Sequence, residues 1–204
     1  MDVRSLSSLA RADLATQVAA LERLLRASPV VAPLLEALPG WGLPGCYVGA
    51  GTVAQTVWNA AHGFAPDLGV KDADVVYFDP EDLSAEAEDR AESLVARSVP
   101  SLGVAVDVTN EARVHLWYER RFGVPLEPYG SAEAAIATWP TTAASIGVRP
   151  VSGGAGLAVC APYGLRDLFA LVVRPNKTLV TEDVYTAKAA RWRATWPGLT
   201  ILDW

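Results

Sequence analysis

The chain has 204 residues, of which 51% are hydrophobic and 20% are charged, and its formal net charge at pH 7 is −6. This composition excludes an intrinsically disordered chain and is typical of a globular protein with a hydrophobic core. The acidic balance argues against a broad nucleic-acid-binding surface, although a metal ion can still provide local positive charge for a small anionic ligand. Because no apolar stretch approaches 18 residues and the N-terminus lacks a signal pattern, we expect no membrane association and a cytoplasmic location.

The first half of the chain begins with a helical pattern and then alternates strands with helices. Residues 1–40 are predicted to be helical because Leu14, Val18, Leu21 and Leu25 recur at helical spacing. The elements predicted after them are a strand at 46–48, a small-residue turn at 49–51, a helix at 52–62, a strand at 73–78, a helix at 84–97 and a strand at 104–108.

The second half adds short helices and a hairpin. Its predicted elements are helices at 110–122 and 132–138, paired strands at 146–151 and 157–161, and helices at 165–172 and 182–193. This mixed order predicts an α+β fold with a small mixed sheet and flanking helices. We expect one domain over residues 1–204, with a helical N-terminal segment and a C-terminal extension from about residue 130 packed on the core.

Two aspartates, Asp72 and Asp74, stand one residue apart in Lys-Asp-Ala-Asp-Val-Val-Tyr-Phe. Residues i and i+2 of a strand point to the same face, so the two carboxylates should project side by side. Like charges at that separation repel, which raises the pKa of one carboxyl unless a cation lies between them. A hard divalent metal such as Mg²⁺ is the usual cation, since it takes oxygen ligands and keeps positions open for phosphates. The alternative is a solvated strand edge.

The apolar run Val75-Val76-Tyr77-Phe78 follows the two acids, so they begin a strand. Nucleotide-sugar glycosyltransferases and haloacid-dehalogenase-type phosphatases instead place the acids after the apolar strand. The order here resembles the nucleotidyltransferases of the DNA polymerase beta superfamily. Their pattern is a strand, a small-residue turn opening a helix, Asp-x-Asp leading an apolar strand, and a third acid on a later strand. Gly49-Ala50-Gly51-Thr52 and Asp107 stand at the matching places.

The resemblance extends over roughly residues 20–204 to a bacterial family of uncharacterised nucleotidyltransferase-like proteins. The segments that carry it are Ala73–Asp79, Ala112–Tyr118, Ala137–Ala143, Ala161–Phe169, Arg174–Asn176, Tyr185–Lys188 and Trp196–Thr200. It implies transfer of a nucleoside monophosphate from an NTP to a hydroxyl acceptor, with release of pyrophosphate. Asp72, Asp74 and Asp107 would be the catalytic residues and the ligands of Mg²⁺ or Mn²⁺, because three carboxylates can hold two such ions.

The phosphate side of the site departs from the superfamily pattern. The turn is Gly-Ala-Gly-Thr in place of Gly-Gly or Gly-Ser, and Ala54 stands where related sequences often carry a basic residue. The residues that would then bind the NTP are Gly49, Gly51, Thr52, Lys71 and Arg113. The same departure leaves open a second interpretation, a non-catalytic nucleotide- or metabolite-binding module on this fold.

Several residues have both a functional and a structural interpretation. Asp107 could cap the turn that follows it, and Trp139 could stack on a base or simply pack in the core. Lys188 and Arg191, on the last long helix, are expected to be solvated. The acceptor is expected to be a small molecule rather than a long nucleic acid, since the chain has no basic run.

Overall fold

The computed structural model describes residues 8–204. Its helices and strands, in chain order, are α1 Leu14–Arg26, α2 Val31–Ala37, β1 Tyr47–Gly49, α3 Ala50–His62, β2 Asp72–Tyr77, α4 Ala85–Ser98, β3 Ala105–Asn110, α5 Tyr118–Phe122, α6 Ala132–Ile136, β4 Gly147–Pro150, β5 Leu157–Cys160, α7 Arg166–Phe169, β6 Val172–Val173, α8 Glu182–Thr195 and β7 Thr200–Ile201. Two 3₁₀ turns, Leu38–Gly40 and Glu111–Leu116, complete it. The predicted helical segment 1–40 is confirmed from Leu14, whereas residues 1–7 lie outside the described residues.

Five strands form a mixed sheet in the order β3-β2-β1-β4-β5. The β2–β3 pair is parallel, and the other neighbouring pairs are antiparallel. The parallel pair requires a crossover connection, which α4 provides, while β4 and β5 form the predicted hairpin. The predicted α+β class with a small mixed sheet is therefore confirmed.

One face of the sheet packs on the main hydrophobic core. Ala73 and Val75 of β2 are fully buried there, together with Leu21 of α1, Leu34 of α2 and Val57 of α3. The alternation of strand side chains sends Asp72, Asp74 and Val76 to the opposite face. On that face, a smaller cluster of Tyr47, Val76, Ala132 and Ile136 covers the sheet beyond Asp74.

Helix α8 docks on α3 through tryptophan. The ring of Trp58 meets those of Trp192 and Trp196 edge-on, at centroid distances of 4.9 Å and 5.4 Å. The Trp196 indole N–H donates to Asn59 Oδ1 at 2.7 Å, which satisfies a polar group that the core encloses. The C-terminal helix is thus fixed beside the helix that follows β1.

The structure differs from the predictions in two places. The predicted helix at 110–122 is a 3₁₀ turn followed by the short helix α5, because Trp117 between them has non-helical backbone angles, with φ −130° and ψ −15°. The predicted helix at 165–172 ends after Phe169, since Leu171 adopts a left-handed φ of 57°, and Val172–Val173 pairs with Thr200–Ile201. Neither two-residue strand was predicted, because runs this short carry no usable periodicity.

A single hydrophobic core draws side chains from the N-terminal helices, the sheet and the C-terminal helix. The division into one domain over residues 1–204 stays a prediction. Within residues 8–204, no helix is both long enough and apolar enough to cross a membrane.

Candidate active site

Three residues form a row across adjacent strands. In the strand register, Gly49 of β1 is the partner of Asp74 of β2, and Asp74 is the partner of Asp107 of β3. Partners in register share a face of the sheet, and neighbouring strands lie about 4.8 Å apart. Asp72 lies two residues before Asp74 and therefore on the same face. The structure thus brings the three predicted aspartates together beside the glycine turn.

The electrostatics of Asp74 reflect this crowding. Burial raises the pKa of its carboxyl to about 6, and the nearby charges of Asp72 and Asp107 raise the same pKa. Lys188 and a hydrogen bond with Thr52 act in the opposite direction. None of the three aspartates forms an ion pair within 4 Å in the described part of the chain. The cluster therefore carries negative charge that no ion pair within 4 Å neutralises, although Lys188 lowers the pKa of Asp74 from a greater distance.

This donor set suits a hard cation. Carboxylate oxygens are the ligands that Mg²⁺ and Mn²⁺ favour, and a cation would relieve the repulsion that raises the pKa of Asp74. Even so, among residues 8–204 no group of three or more His, Cys, Asp or Glu side chains is arranged so that it could hold a metal ion. The aspartates share a face and repel one another, but they do not form a closed ligand shell.

The turn after β1 needs small residues because it is tightly enclosed. A Cβ on Gly49 would lie 2.7 Å from the Ile146 carbonyl oxygen and 2.8 Å from the Trp139 ring. A Cβ on Gly51 would lie 2.9 Å from the Gln55 amide nitrogen and 3.7 Å from an Asp74 carboxylate oxygen. The backbone at the start of α3 therefore approaches Asp74 closely, and the N–H groups of a helix start favour anions.

Ala50 opens α3 with a φ of 53°, a left-handed conformation that is strained for any residue with a Cβ. Its N–H donates to the carbonyl of Ile146, the residue before strand β4, at 3.0 Å, and this contact helps to hold the strained turn. Backbone strain of this kind concentrates at functional sites.

Thr52 connects the turn to the aspartates. Its hydroxyl accepts a hydrogen bond from the Asp74 N–H at 3.0 Å and donates towards Asp74 Oδ2 and the Asp72 carbonyl, both at 3.3 Å. The side chain is fully buried. Thr52 therefore orients Asp74, and its hydroxyl is already engaged.

Each aspartate borders a different cavity. Asp72 lines a cavity of about 160 Å³ together with Gln55, Lys71 and Arg191. Asp74 lines a cleft of about 250 Å³ whose other walls are mostly aromatic and aliphatic. Asp107 lines a more polar cavity of about 550 Å³ that also includes Arg120, Arg121, Glu88 and Glu92. Because the aspartates meet on one face, three cavities converge on the same cluster.

A family model described as nucleotidyltransferase matches residues 36–201. This match covers both the glycine turn and all three aspartates. The chain belongs to this nucleotidyltransferase family. Transfer of a nucleoside monophosphate is the general function of such proteins.

A comparison with solved structures gives the same fold for this nucleotidyltransferase family member. An NMR structure described as revealing a CCA-adding enzyme head domain superposes with a TM-score of 0.73, at 23% sequence identity, covering 90% of this chain and 95% of the other. At this identity the similarity establishes the fold alone. A search of curated proteins finds no match.

Two of the predicted phosphate-binding residues lie in different surroundings. Lys71 is exposed and lines the cavity that Asp72 borders. Arg113 instead forms an ion pair with Glu88 and donates to the Leu83 carbonyl at 3.2 Å. The structure therefore brings Lys71 near the aspartates, whereas Arg113 stabilises the connection between β2 and α4.

Ala54 is fully buried in the hydrophobic core, so its side chain is not available to bind a phosphate. The next residue, Gln55, is the one that lines the cavity at Asp72. Position 54 therefore does not line that cavity.

The expectation that Lys188 is solvated is wrong, because its side chain is partly buried. Lys188 lines the cleft at Asp74, and its ammonium group lies 5.1 Å from the centroid of the Trp192 ring. Burial lowers the pKa of Lys188, while Asp74 and Asp72 raise it. The helical spacing indicates this burial, because Tyr185, Ala189 and Trp192 form the buried face of α8 and Lys188 lies directly beside that face.

Glu111 is a site residue that the sequence reasoning missed. It is only 5% exposed, and it lines the same cleft as Asp74 and Lys188. Burial raises the pKa of its carboxyl to about 8, and a hydrogen bond with the Trp139 side chain opposes that shift. An acid that directly follows a strand resembles an ordinary helix cap in the sequence, so nothing local distinguished it.

Proposed function

We propose that this protein is a metal-dependent nucleotidyltransferase that moves a nucleoside monophosphate from an NTP to a hydroxyl group and releases pyrophosphate. The observation that supports it best is the row Gly49, Asp74 and Asp107 across three strands, with α3 starting immediately after Gly49. This arrangement places a backbone anion site directly beside a cluster of carboxylates.

The aspartates would hold the divalent cation. Asp72, Asp74 and Asp107 are its ligands in this proposal, and the bound ion supplies Lewis-acid stabilisation to the phosphate oxygens and lowers the pKa of the attacking hydroxyl. Thr52 fixes the orientation of Asp74 through the Asp74 N–H and carboxylate. Asp107 is exposed and borders the polar cavity, so it is the aspartate placed to accept the proton of an entering hydroxyl.

The phosphate groups of the NTP would lie between α3 and α8. Backbone N–H groups at Gly51 and Thr52 face them at the helix start, and Lys71, Lys188 and Arg191 supply positive charge from the cavities at Asp72 and Asp74. In this proposal, Lys188 provides the positive charge that related sequences often provide with a basic residue at the position of Ala54. A Lys held close to a carboxylate cluster is available to a phosphate as soon as a cation neutralises the aspartates.

The acceptor in this proposal is a small molecule that enters through the polar cavity at Asp107. This cavity is about 550 Å³, which is the size of a small-molecule site. The net charge of −6 disfavours a long nucleic acid, whose binding depends on many Lys and Arg contacts with phosphates.

The test is transfer of label from α-³²P-labelled NTPs to small hydroxyl compounds, in the presence of Mg²⁺ or Mn²⁺. Wild-type protein should produce labelled product and pyrophosphate, and Asp74→Asn should lose at least about 100-fold in rate, the size of effect seen when one charge-stabilising group is removed. Asp89→Asn is the matched control, since Asp89 is exposed on α4 away from the three cavities. Undiminished transfer by the Asp74→Asn variant contradicts the mechanism.

A second candidate function is a non-catalytic nucleotide-binding module on the same fold. The observation that favours it is Thr52, whose hydroxyl is engaged with Asp74 and so leaves only backbone donors at the turn. Calorimetry with each NTP and Mg²⁺ distinguishes the two. Tight binding without any pyrophosphate release across the acceptor set supports the module and contradicts the transferase.

A further inference from the structure

The cleft at Asp74 is lined largely by aromatic side chains. Five aromatic side chains from three separate parts of the chain line it: Trp117, Tyr118, Phe122, Tyr129 and Trp139. Aliphatic contacts from α8 and the segment before it close the opposite wall. Apolar walls cannot solvate a polyphosphate, whereas the π-faces of aromatic side chains stack well on planar rings. The shape and chemistry of the cleft therefore suit a flat, uncharged ring.

Glu111 is the polar group set into these walls. Its carboxyl is hydrogen-bonded to the Trp139 side chain, which also packs against Gly49 at the turn. The negative charges of Glu88, Asp74 and Asp107 disfavour ionisation of Glu111, while the cation Lys188 lines the same cleft. A carboxyl held neutral offers one donor and one acceptor, the two kinds of group that hydrogen bonds to a nucleobase edge require.

The cleft is continuous with the site of chemistry. Asp74, Lys188 and Ala50 of the strained turn all line it. An NTP whose phosphates lie at Asp74, Lys188 and the start of α3 would therefore direct its base into the aromatic part of the cleft. The other two cavities carry charged side chains such as Arg120 and Arg191, and neither offers comparable aromatic walls.

We propose that the aromatic cleft binds the nucleobase of the NTP and that Glu111 hydrogen-bonds to the edge of that base, which makes Glu111 a specificity-determining residue. This inference rests on the proposed function, because it assumes that an NTP binds at the aspartates. Hydrogen bonds made in a water-poor cleft discriminate strongly, since a base with the wrong edge leaves a buried polar group without a partner.

Calorimetry with ATP, CTP, GTP and UTP in the presence of Mg²⁺ tests the proposal, with inorganic tripolyphosphate as a probe that has no base. The wild-type Kd values for the four NTPs should differ by at least about tenfold, which corresponds to roughly 1.4 kcal/mol. Glu111→Leu should reduce that range to within about threefold and leave tripolyphosphate binding unchanged, because the lost hydrogen bonds involve only the base. Glu111→Gln keeps a donor and an acceptor and should retain the wild-type ranking.

A second variant addresses the aromatic walls without altering a buried acid. Tyr118→Leu should weaken all four NTPs by about tenfold, in line with the loss of one base-stacking contact, and should leave tripolyphosphate binding unchanged. The proposal is overturned if wild type binds the four NTPs alike, if Glu111→Leu retains the wild-type ranking, or if Tyr118→Leu weakens tripolyphosphate as much as the NTPs. Failure of wild type to bind either NTPs or tripolyphosphate overturns the proposed function itself, so the two failures are distinguishable.

Discussion

Glu111 and Asp74 show how burial gives different properties to two acids that line the same cleft. Burial raises the pKa of both carboxyls, to about 8 for Glu111 and about 6 for Asp74. Burial therefore favours the neutral form of Glu111 more strongly than that of Asp74. Pairs of acids with separated pKa values are a common feature of catalytic sites, because they allow one group to donate a hydrogen bond while the other holds charge.

The raised pKa of Glu111 predicts a pH-dependent stability. Its pKa in the folded state is about 8, above the ordinary value of 4.5, so the folded state keeps a proton that the unfolded state has lost. The free energy of unfolding should therefore fall as the pH rises from about 4.5 to about 8. Glu111→Gln lacks this penalty, so its advantage over wild type in thermal midpoint should grow by several degrees between pH 5 and pH 8. An advantage that is constant or shrinks over this range contradicts the prediction.

Lys188 yields a prediction that separates binding from stability. Lys188→Met should raise the KM for NTP by at least about tenfold, because a cation near the triphosphate contributes about 1–3 kcal/mol. The same variant should unfold at a slightly higher temperature, since burial of the ammonium lowers the Lys188 pKa and so opposes folding. Arg193→Ala, at an exposed position of the same helix, is the control. An unchanged KM in the Lys188→Met variant contradicts the assignment.

At the level of elements, the turn between β1 and α3 concentrates the strain of the site. Ala50 holds a left-handed φ of 53°, which costs about 1–2 kcal/mol for a residue with a Cβ. The junction persists because Thr52 binds β2 and the Ala50 N–H binds the Ile146 carbonyl. These hydrogen bonds keep the strained start of α3 beside Asp74, which suits a pre-organised anion site.

This strain can be measured with two reciprocal substitutions. Ala50→Gly should raise the free energy of unfolding by about 0.5–1 kcal/mol, the relieved strain less the added backbone entropy of glycine. Gly63→Ala should lower the free energy of unfolding by about 1 kcal/mol, because Gly63 ends the same helix at a left-handed φ of 66°. An added Cβ would meet no atom within 4 Å, so the effect reports backbone strain and not a steric clash. Chemical denaturation measures both. Destabilisation by Ala50→Gly contradicts the interpretation of the turn as strained.

The attachment of α8 to α3 predicts a further effect. Trp196→Phe removes the indole N–H that binds Asn59 Oδ1 and leaves a buried acceptor without a partner, at a cost of about 1–3 kcal/mol. Because Lys188 lies on the docked helix, NTP affinity should fall together with stability. The control is Trp204→Phe, at the chain end outside this contact. Full stability in the Trp196→Phe variant contradicts the proposed role of the docking contact.

For the whole molecule, hydrophobic periodicity was enough to predict the α+β class, the five strands of the main sheet and the long helices. It could not predict the β6–β7 pair or the break at Trp117, because these depend on contacts between residues far apart in sequence. The shared face of Asp72 and Asp74 was predictable from strand alternation, whereas Asp107 was suggested by the family resemblance and its register with Asp74 came only from the structure. Lys188 and Glu111 were not predictable, since only the docking of α8 and the closure of the cleft bring them to Asp74.

The central claim for the whole molecule is that the aspartates on one face of the sheet hold a divalent cation for NTP chemistry. Titration with Mn²⁺ followed by electron paramagnetic resonance, with and without NTP, tests it most directly. Wild type should bind Mn²⁺ more tightly when NTP is present, and Asp89→Asn should behave like wild type. Asp74→Asn should lose at least about tenfold in Mn²⁺ affinity, because it removes a charged oxygen ligand. Wild-type Mn²⁺ affinity in the Asp74→Asn variant would contradict the account.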